Sequence, residues 1–297
     1  MLASLQATLP SGLPYEIIFV DDGSTDGTRE WLATLTDPAI RVVLNEKNLG
    51  YAAANNRGAA LARGEFLALL NNDLVLTPGW LEPMLKVHAG LGTRAGLMGN
   101  VQLNASTGQI DHSGIIIDLH CKPEHDRAMP WTCRFRTTRR VAAVTGACVL
   151  IRSDLWWQLG GFDEGFINGG EDIDLCLRAR ATGRINAVAL RSIVHHHISA
   201  SPGRKLRGEE NSFKLTLKWH DELVQLATPG WCRHLLKKQW TTLRNPIGYW
   251  QGCLALAYVL CLRRVVPPAV LARVRNASEI ELARWEKMFN LSAGRTD

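Results

Sequence analysis

Between Tyr15 and His88, short apolar runs alternate with helix-forming stretches, and this alternation leaves few folds open. Residues 15–20, 40–44 and 65–70 are rich in Ile, Val, Leu and Phe, as buried strands are. Between and after them lie a helix through Arg29, Glu30, Trp31 and Leu32, an alanine-rich helix over residues 51–62, and a helix around residues 80–88. Strands alternating with helices predict an α/β fold with a mostly parallel central sheet flanked by helices. Ligands of such sheets bind beyond the carboxyl ends of the strands. Two acidic clusters fall at such ends, Asp21-Asp22 and Asn71-Asn72-Asp73.

A third acidic cluster is the densest. Glu171, Asp172 and Asp174 follow Gly169-Gly170 and open an apolar-periodic stretch, which predicts the first turn of a helix. Acids there suit the positive end of the helix dipole, so capping alone is one explanation. The paired glycines favour another, because glycine lets backbone or ligand approach closely. A carboxylate facing a pocket at this point can take a proton from a substrate hydroxyl.

Residues 109–118 and 141–151 are expected strands. The basic, irregular span between them holds Arg134, Arg136, Arg139 and Arg140 and is expected on the acceptor side. Another strand is expected over residues 185–194, ending in His195-His196-His197. A boundary is expected near Ser201-Pro202-Gly203, giving a domain at 1–203 and a basic helical extension at 204–297. Charge supports the division. Residues 1–200 carry 18 basic and 20 acidic side chains, whereas residues 201–297 carry 16 and 8. A basic tail points to an anionic partner, such as headgroups or an anionic substrate. No nucleic-acid-binding motif is present, so nucleic acid is not an expected partner. The apolar stretch at 247–262, with Arg263-Arg264 behind it, is shorter than the ~20 residues a spanning helix needs. An interfacial helix over 247–264 and an ordinary packing helix both stay open. Seven cysteines without Cys-x-x-Cys spacing fit a reduced, cytosolic setting. Peripheral contact with the inner face of the membrane would go with the interfacial reading.

Taken singly, each acidic or histidine cluster has an ordinary structural explanation: an Asx turn, a helix start, a polar strand end. Their order is more specific. Val20-Asp21-Asp22-Gly23-Ser24, then Asn48-Leu49-Gly50-Tyr51 with Asn55-Asn56-Arg57-Gly58, then Ala62-Arg63-Gly64-Glu65 with Asn71-Asn72-Asp73, then Gly161-Phe162-Asp163 with Gly170-Glu171-Asp172, then His195 onward, resembles the family 2 glycosyltransferases. The bacterial rhamnosyltransferase-like members look nearest. The resemblance covers about residues 1–205.

The resemblance implies a GT-A fold and inverting transfer from a nucleotide-sugar donor to a glycan or lipid-linked acceptor. It implies Asp21 at the nucleotide base with Asp22 nearby, and Gly50, Asn56 and Asn72 on the donor side. Asp73 matches the second acid of the family's Asp-x-Asp metal motif, and Asn71 replaces the first. His196, with His195 as the alternative, matches the histidine that completes a Mg²⁺ or Mn²⁺ site. Asp172 matches the general base and Glu171 its neighbour. The family's opening strand has no counterpart before residues 15–20, and it would lie between the strands at 15–20 and 65–70. That departure and Asn71 keep a catalytically weak sugar-nucleotide-binding or scaffold protein as a second expectation. A nucleotidyltransferase is the third, without the glycine- and lysine-rich phosphate loop it would need.

Overall fold

The structure is a computed structural model. It describes residues 1–129, 135–197, 204–241, 246–260, 262 and 266–289. The chain folds as two compact units, one of residues 1–115 with 125–208 and one of residues 116–124 with 209–297.

In the first unit, α1 (Leu2–Thr8) precedes β1 (Ile17–Asp21), α2 (Thr28–Ala33), β2 (Ile40–Leu44), α3 (Tyr51–Ala59) and β3 (Phe66–Leu70). β4 (Leu74–Leu76), α4 (Glu82–Leu91), β5 (Ala95–Asn104) and β6 (Ile110–His112) follow. β9 (Thr138–Arg140), β10 (Cys148–Arg152), α5 (Ser153–Leu159), α6 (Glu171–Ala181) and β11 (Ile185–His196) complete the run, while β7 (Ile115–Ile117) and β8 (Pro123–His125) form a hairpin whose residues 116–124 belong to the second unit.

The strands between Tyr15 and Leu70 form where their apolar runs lie, within two residues of the expected ends. The central sheet is flanked by helices as expected, but it is mixed rather than mostly parallel. Its order is β3-β10-β5-β11-β4, with only β5 and β11 parallel to each other. β10 returns from the excursion after β5 and slots between β3 and β5, antiparallel to both. Antiparallel neighbours need no helical crossover, so the helix-strand rhythm of the first ninety residues does not extend through this region. β1 and β2 pair in parallel as a separate sheet. Among the described residues, β1 pairs only with β2 and β3 only with β10.

Two expected strands are shorter than their apolar content suggests. Residues 109–118 divide at Gly114, whose φ of 124° is open to glycine and where a Cβ would come within 2.6 Å of Val141 Cγ1. Residues 141–147 are not strand, and their backbone turns toward α6 instead.

Two cores hold the sheet. On one face Leu97, Val149, Ile151 and Val188 pack with α3, α5 and α6 through Ala59, Trp156 and Leu175. On the other, Met98, Leu150, Ala187 and Ala189 pack with α1 and α4 through Leu5, Met84 and Val87. Burying one such side chain contributes roughly 1.5–3 kcal/mol.

The second unit is helical, with α7 (Arg204–Thr241), α8 (Pro246–Val259) and α9 (Pro268–Met288). α7 carries Pro229 and breaks helical geometry at Trp219. Residues 116–124 belong here: the Trp231 indole N–H donates to the Leu119 carbonyl at 2.9 Å, and Lys122 sits 3.0 Å from Glu281 and over the ring of buried Trp285. Among the described residues no helix is long and apolar enough to cross a membrane. Residues 201–203 and 263–264, which figured in the expected boundary and basic flank, lie outside the described residues.

Candidate active site

The entrance to α6 is built from backbone that few residues adopt. Asn168, Gly169 and Gly170 have φ of 55°, 150° and 94°, and Gly170 is the N-cap. This bend fans three neighbouring carboxylates in different directions. Glu171 is buried and folds back to accept the Gly169 N–H at 2.7 Å. Asp174 is fully buried beside Arg178, whose Nε donates to it at 2.8 Å. Asp172 turns to the loop before β10, where it accepts the Gly146 N–H at 2.8 Å, and its other oxygen accepts the Ile173 N–H at 2.8 Å. Burial raises the Asp172 pKa above the usual aspartate value; the Gly146 N–H and the nearby His125 charge oppose the rise without cancelling it. A carboxylate with a raised pKa is a stronger base when ionised.

Asp73 lies in the turn joining β3 and β4. Its Oδ1 is 3.2 Å from His196 Nε2, and its backbone carbonyl accepts the His197 N–H at 2.9 Å. His196 Nδ1 is 3.8 Å from Asp111 Oδ2. Two short routes tie this pair to Asp172. Asn71 donates its N–H to the Ala147 carbonyl at 2.9 Å, one residue from the Gly146 that holds Asp172. On the other route, His125 acts on Asp172 electrostatically and stacks edge-on against His112 at 4.9 Å, and His112 in turn feels His196. Burial pushes the His112 pKa well down, and the charges of His125, Arg139 and His196 push the same way. Of the three adjacent histidines, His196 stands beside Asp73.

Among the described residues no three His, Cys, Asp or Glu side chains converge as a metal site. Asp73 and His196 nonetheless fit half of one. Mg²⁺-type ions often take one or two protein ligands and fill the rest with phosphate oxygens and water. His196 Nδ1 is also buried without a hydrogen-bond partner among the described residues.

The expected donor-side residues divide sharply. Asp21 is buried against Arg29, whose Nε donates at 2.7 Å, and also accepts the Ser24 N–H. Burial alone would raise its pKa, but the Ser24 and Arg29 hydrogen bonds and the Arg29 charge bring it below the usual value. Its Oδ1 is buried as well, without a hydrogen-bond partner among the described residues. Asp22 is spent on the fold: it accepts the Asn45 amide at 2.8 Å, the Leu49 N–H at 2.9 Å and the Gly50 N–H at 2.8 Å. Gly50, the N-cap of α3, is thereby held by Asp22. Asn56 is also engaged by the fold. Its side chain brackets Phe162, donating to the carbonyl and accepting the N–H at 2.9 Å each, and it also donates to Glu164. Asn72 is exposed beside Asp73.

Sequence reasoning missed Tyr51, Gly146, Asp111, His112 and His125. The Tyr51 hydroxyl donates to the Gly146 carbonyl at 2.8 Å, and its N–H donates to Asn168 Oδ1 at 3.2 Å. It therefore braces both loops that set Asp172. The available signal was a polar pair, Asp111-His112, interrupting an apolar run.

The mixed sheet flanked by helices is a GT-A fold. The solved structure of GalNAc-T7 with UDP, GalNAc and Mn²⁺ shares that fold with a TM-score of 0.61 at 19% identity, over 75% of this chain and 46% of that one. The glycosyl transferase family 2 profile matches residues 1–156, and the chain belongs to that family. An N-acetylglucosaminyl-diphospho-decaprenol L-rhamnosyltransferase of Mycobacterium tuberculosis is 31% identical over 68% of this chain and 72% of its own length. An O-antigen biosynthesis protein of Myxococcus xanthus is 32% identical over 61% of this chain, which spans only 15% of that protein.

Proposed function

We propose that this chain moves a sugar from a nucleotide-sugar donor to a hydroxyl of a cell-surface glycan or lipid-linked acceptor, inverting the anomeric centre. The observation that carries the reading is the placement of Asp172: a carboxylate with a raised pKa, fixed by the Gly146 N–H and linked through the β3–β4 turn to Asp73 and His196. Asp172 accepts the acceptor proton as the oxygen attacks. A single displacement inverts the centre and needs no covalent intermediate. Asp73 and His196 would hold Mg²⁺ or Mn²⁺, which when bound offsets charge on the departing diphosphate. The name of the mycobacterial relative supports a lipid-linked acceptor, that of the Myxococcus relative a role in O-antigen synthesis, and the Mn²⁺ in the GalNAc-T7 complex supports a divalent ion.

The test is sugar transfer from a panel of nucleotide sugars with Mn²⁺, comparing the parent chain with Asp172→Asn. The variant should bind donor and lose transfer; transfer at the parent rate would remove Asp172 from the role of base. Asn71, in place of a first metal-binding acid, favours a second reading in which the chain binds donor without transferring sugar. Donor binding by the parent chain with no product from any acceptor would select that reading.

A further inference from the structure

β11 meets two partners on one edge, β9 over Ala187–Ala189 and β4 over Val194–His196, and bulges between them. The gap is framed by fixed backbone. The Leu190 N–H donates to the Thr137 carbonyl at 2.9 Å, Ser192 donates to the Trp80 carbonyl, and Thr77 donates to the Ile193 carbonyl at 2.7 Å. Between this frame and α4 lies a cavity of about 920 Å³. That volume is at the upper end for small-molecule pockets.

Strand register supplies its charge. Arg140 and Thr138 stand opposite Ala187 and Ala189, which face α4, so Arg140 lies on the α4 face. Arg139 stands opposite Val188 and goes the other way, to Ser113 and Asp126, which anchors β9 from behind. Arg136, Arg191 and Lys86 complete the basic lining, with Val87 and Leu91 as its apolar wall. Among the described residues no carboxylate lines the cavity. Among the described residues no ion pair engages Lys86, Arg136 or Arg140, whereas Arg139 on the opposite face is paired. Lys86, Arg136 and Arg140, unpaired among the described residues, repel one another and gain by binding an anion. α6, which carries Asp172, packs on the other face of the sheet, so this is not the proposed catalytic pocket.

We infer that the cavity framed by β9, the β11 bulge and α4 is a second site that binds a phosphate-bearing ligand through Lys86, Arg136 and Arg140. Arginine forks suit phosphate oxygens, and the aliphatic wall of α4 suits the carbon portion of a phosphate ester. A phospholipid headgroup and a soluble phosphate share this chemistry. The inference does not depend on the transfer reaction.

The test measures two probes on the full chain in EDTA, which removes divalent ions from the proposed donor site. Inorganic pyrophosphate binding is followed by calorimetry, and co-sedimentation is followed with phosphatidylglycerol against phosphatidylcholine vesicles. Lys86→Glu with Arg140→Glu should weaken whichever probe binds by at least about tenfold, and Asp73→Asn should leave it unchanged. Loss with pyrophosphate identifies a soluble ligand, and loss with phosphatidylglycerol alone identifies a headgroup. The site is overturned if neither probe binds, if the double variant binds as the parent does, or if Asp73→Asn is the change that removes binding. Should the charge reversal fail to fold, Lys86→Ala with Arg140→Gln replaces it, judged by the same outcomes.

Discussion

Two pairs of adjacent acids stand where the chain enters a loop or a helix, and the fold uses them differently. In Asp21-Asp22 nearly every oxygen is claimed from within: Arg29 and Ser24 hold Asp21, and Asn45, Leu49 and Gly50 hold Asp22. In Glu171-Asp172, Glu171 is turned back on its own loop while Asp172 is held by two backbone N–H groups, with burial favouring its protonated form. An acid pair at an element boundary therefore does not announce chemistry. The number and source of the donors around each oxygen decide whether it anchors a loop or remains able to take a proton.

The largest effect that could break this contrast lies at Asp172. Asp172→Asn should lower the transfer rate roughly 10²–10⁴-fold, the usual worth of a general base, with donor affinity unchanged by calorimetry. The pH profile sharpens the point. The base works only when ionised, and burial has raised its pKa, so transfer should fall away on the acid side at a pH above the ordinary aspartate range. An acid limb confined to that ordinary range would mean that burial does not govern the group that titrates.

Asp22→Ala tests the other pair. It removes the acceptor of three donors and should destabilise the fold by about 2–4 kcal/mol, read as a fall in thermal unfolding temperature. Residues 45–50 should exchange amide hydrogens faster. If stability is unchanged and only donor affinity drops, Asp22 belongs with the ligand and the contrast fails. Asn56→Ala extends the same test to a residue that the family resemblance placed on the donor side. Its hydrogen bonds to Phe162 and Glu164 predict lost stability of about 1–3 kcal/mol, measured by denaturant unfolding, and at saturating donor the transfer rate of the folded fraction should stay near that of the parent.

Much of this was legible in the residues, and the parts that were not share a cause. β1, β2 and β3 could be read because each is a contiguous apolar run. That Asp73 and His196 meet was anticipated from an order that matches a known one. The direction of β10 could not be read, because it depends on where the chain re-enters the sheet after β5. Asp111, His112 and His125 were missed because they sit on three-residue strands that carry no periodic signal and meet only through long-range pairing. For Asp22 the residue was found but its partners were not, since they lie 23 to 28 positions away.

Tyr51 gives the smallest and most discriminating test, because it touches both sides of the comparison. It opens α3, the helix whose N-cap Gly50 is held by Asp22, and its hydroxyl donates to the carbonyl of Gly146, the residue whose N–H fixes Asp172. Tyr51→Phe keeps the ring packed against Phe162 and removes one hydrogen bond. The stability cost should be only about 1 kcal/mol. If the hydroxyl does no more than fill a hydrogen bond, the transfer rate of the folded variant will equal that of the parent. If it holds Gly146 in line with Asp172, the rate should fall by roughly tenfold while donor affinity stays constant, because the base would be less firmly aimed in a reaction sensitive to small misplacements. A loss of donor affinity in place of rate would move Tyr51 from the acid it braces at α6 to the loop it caps at α3.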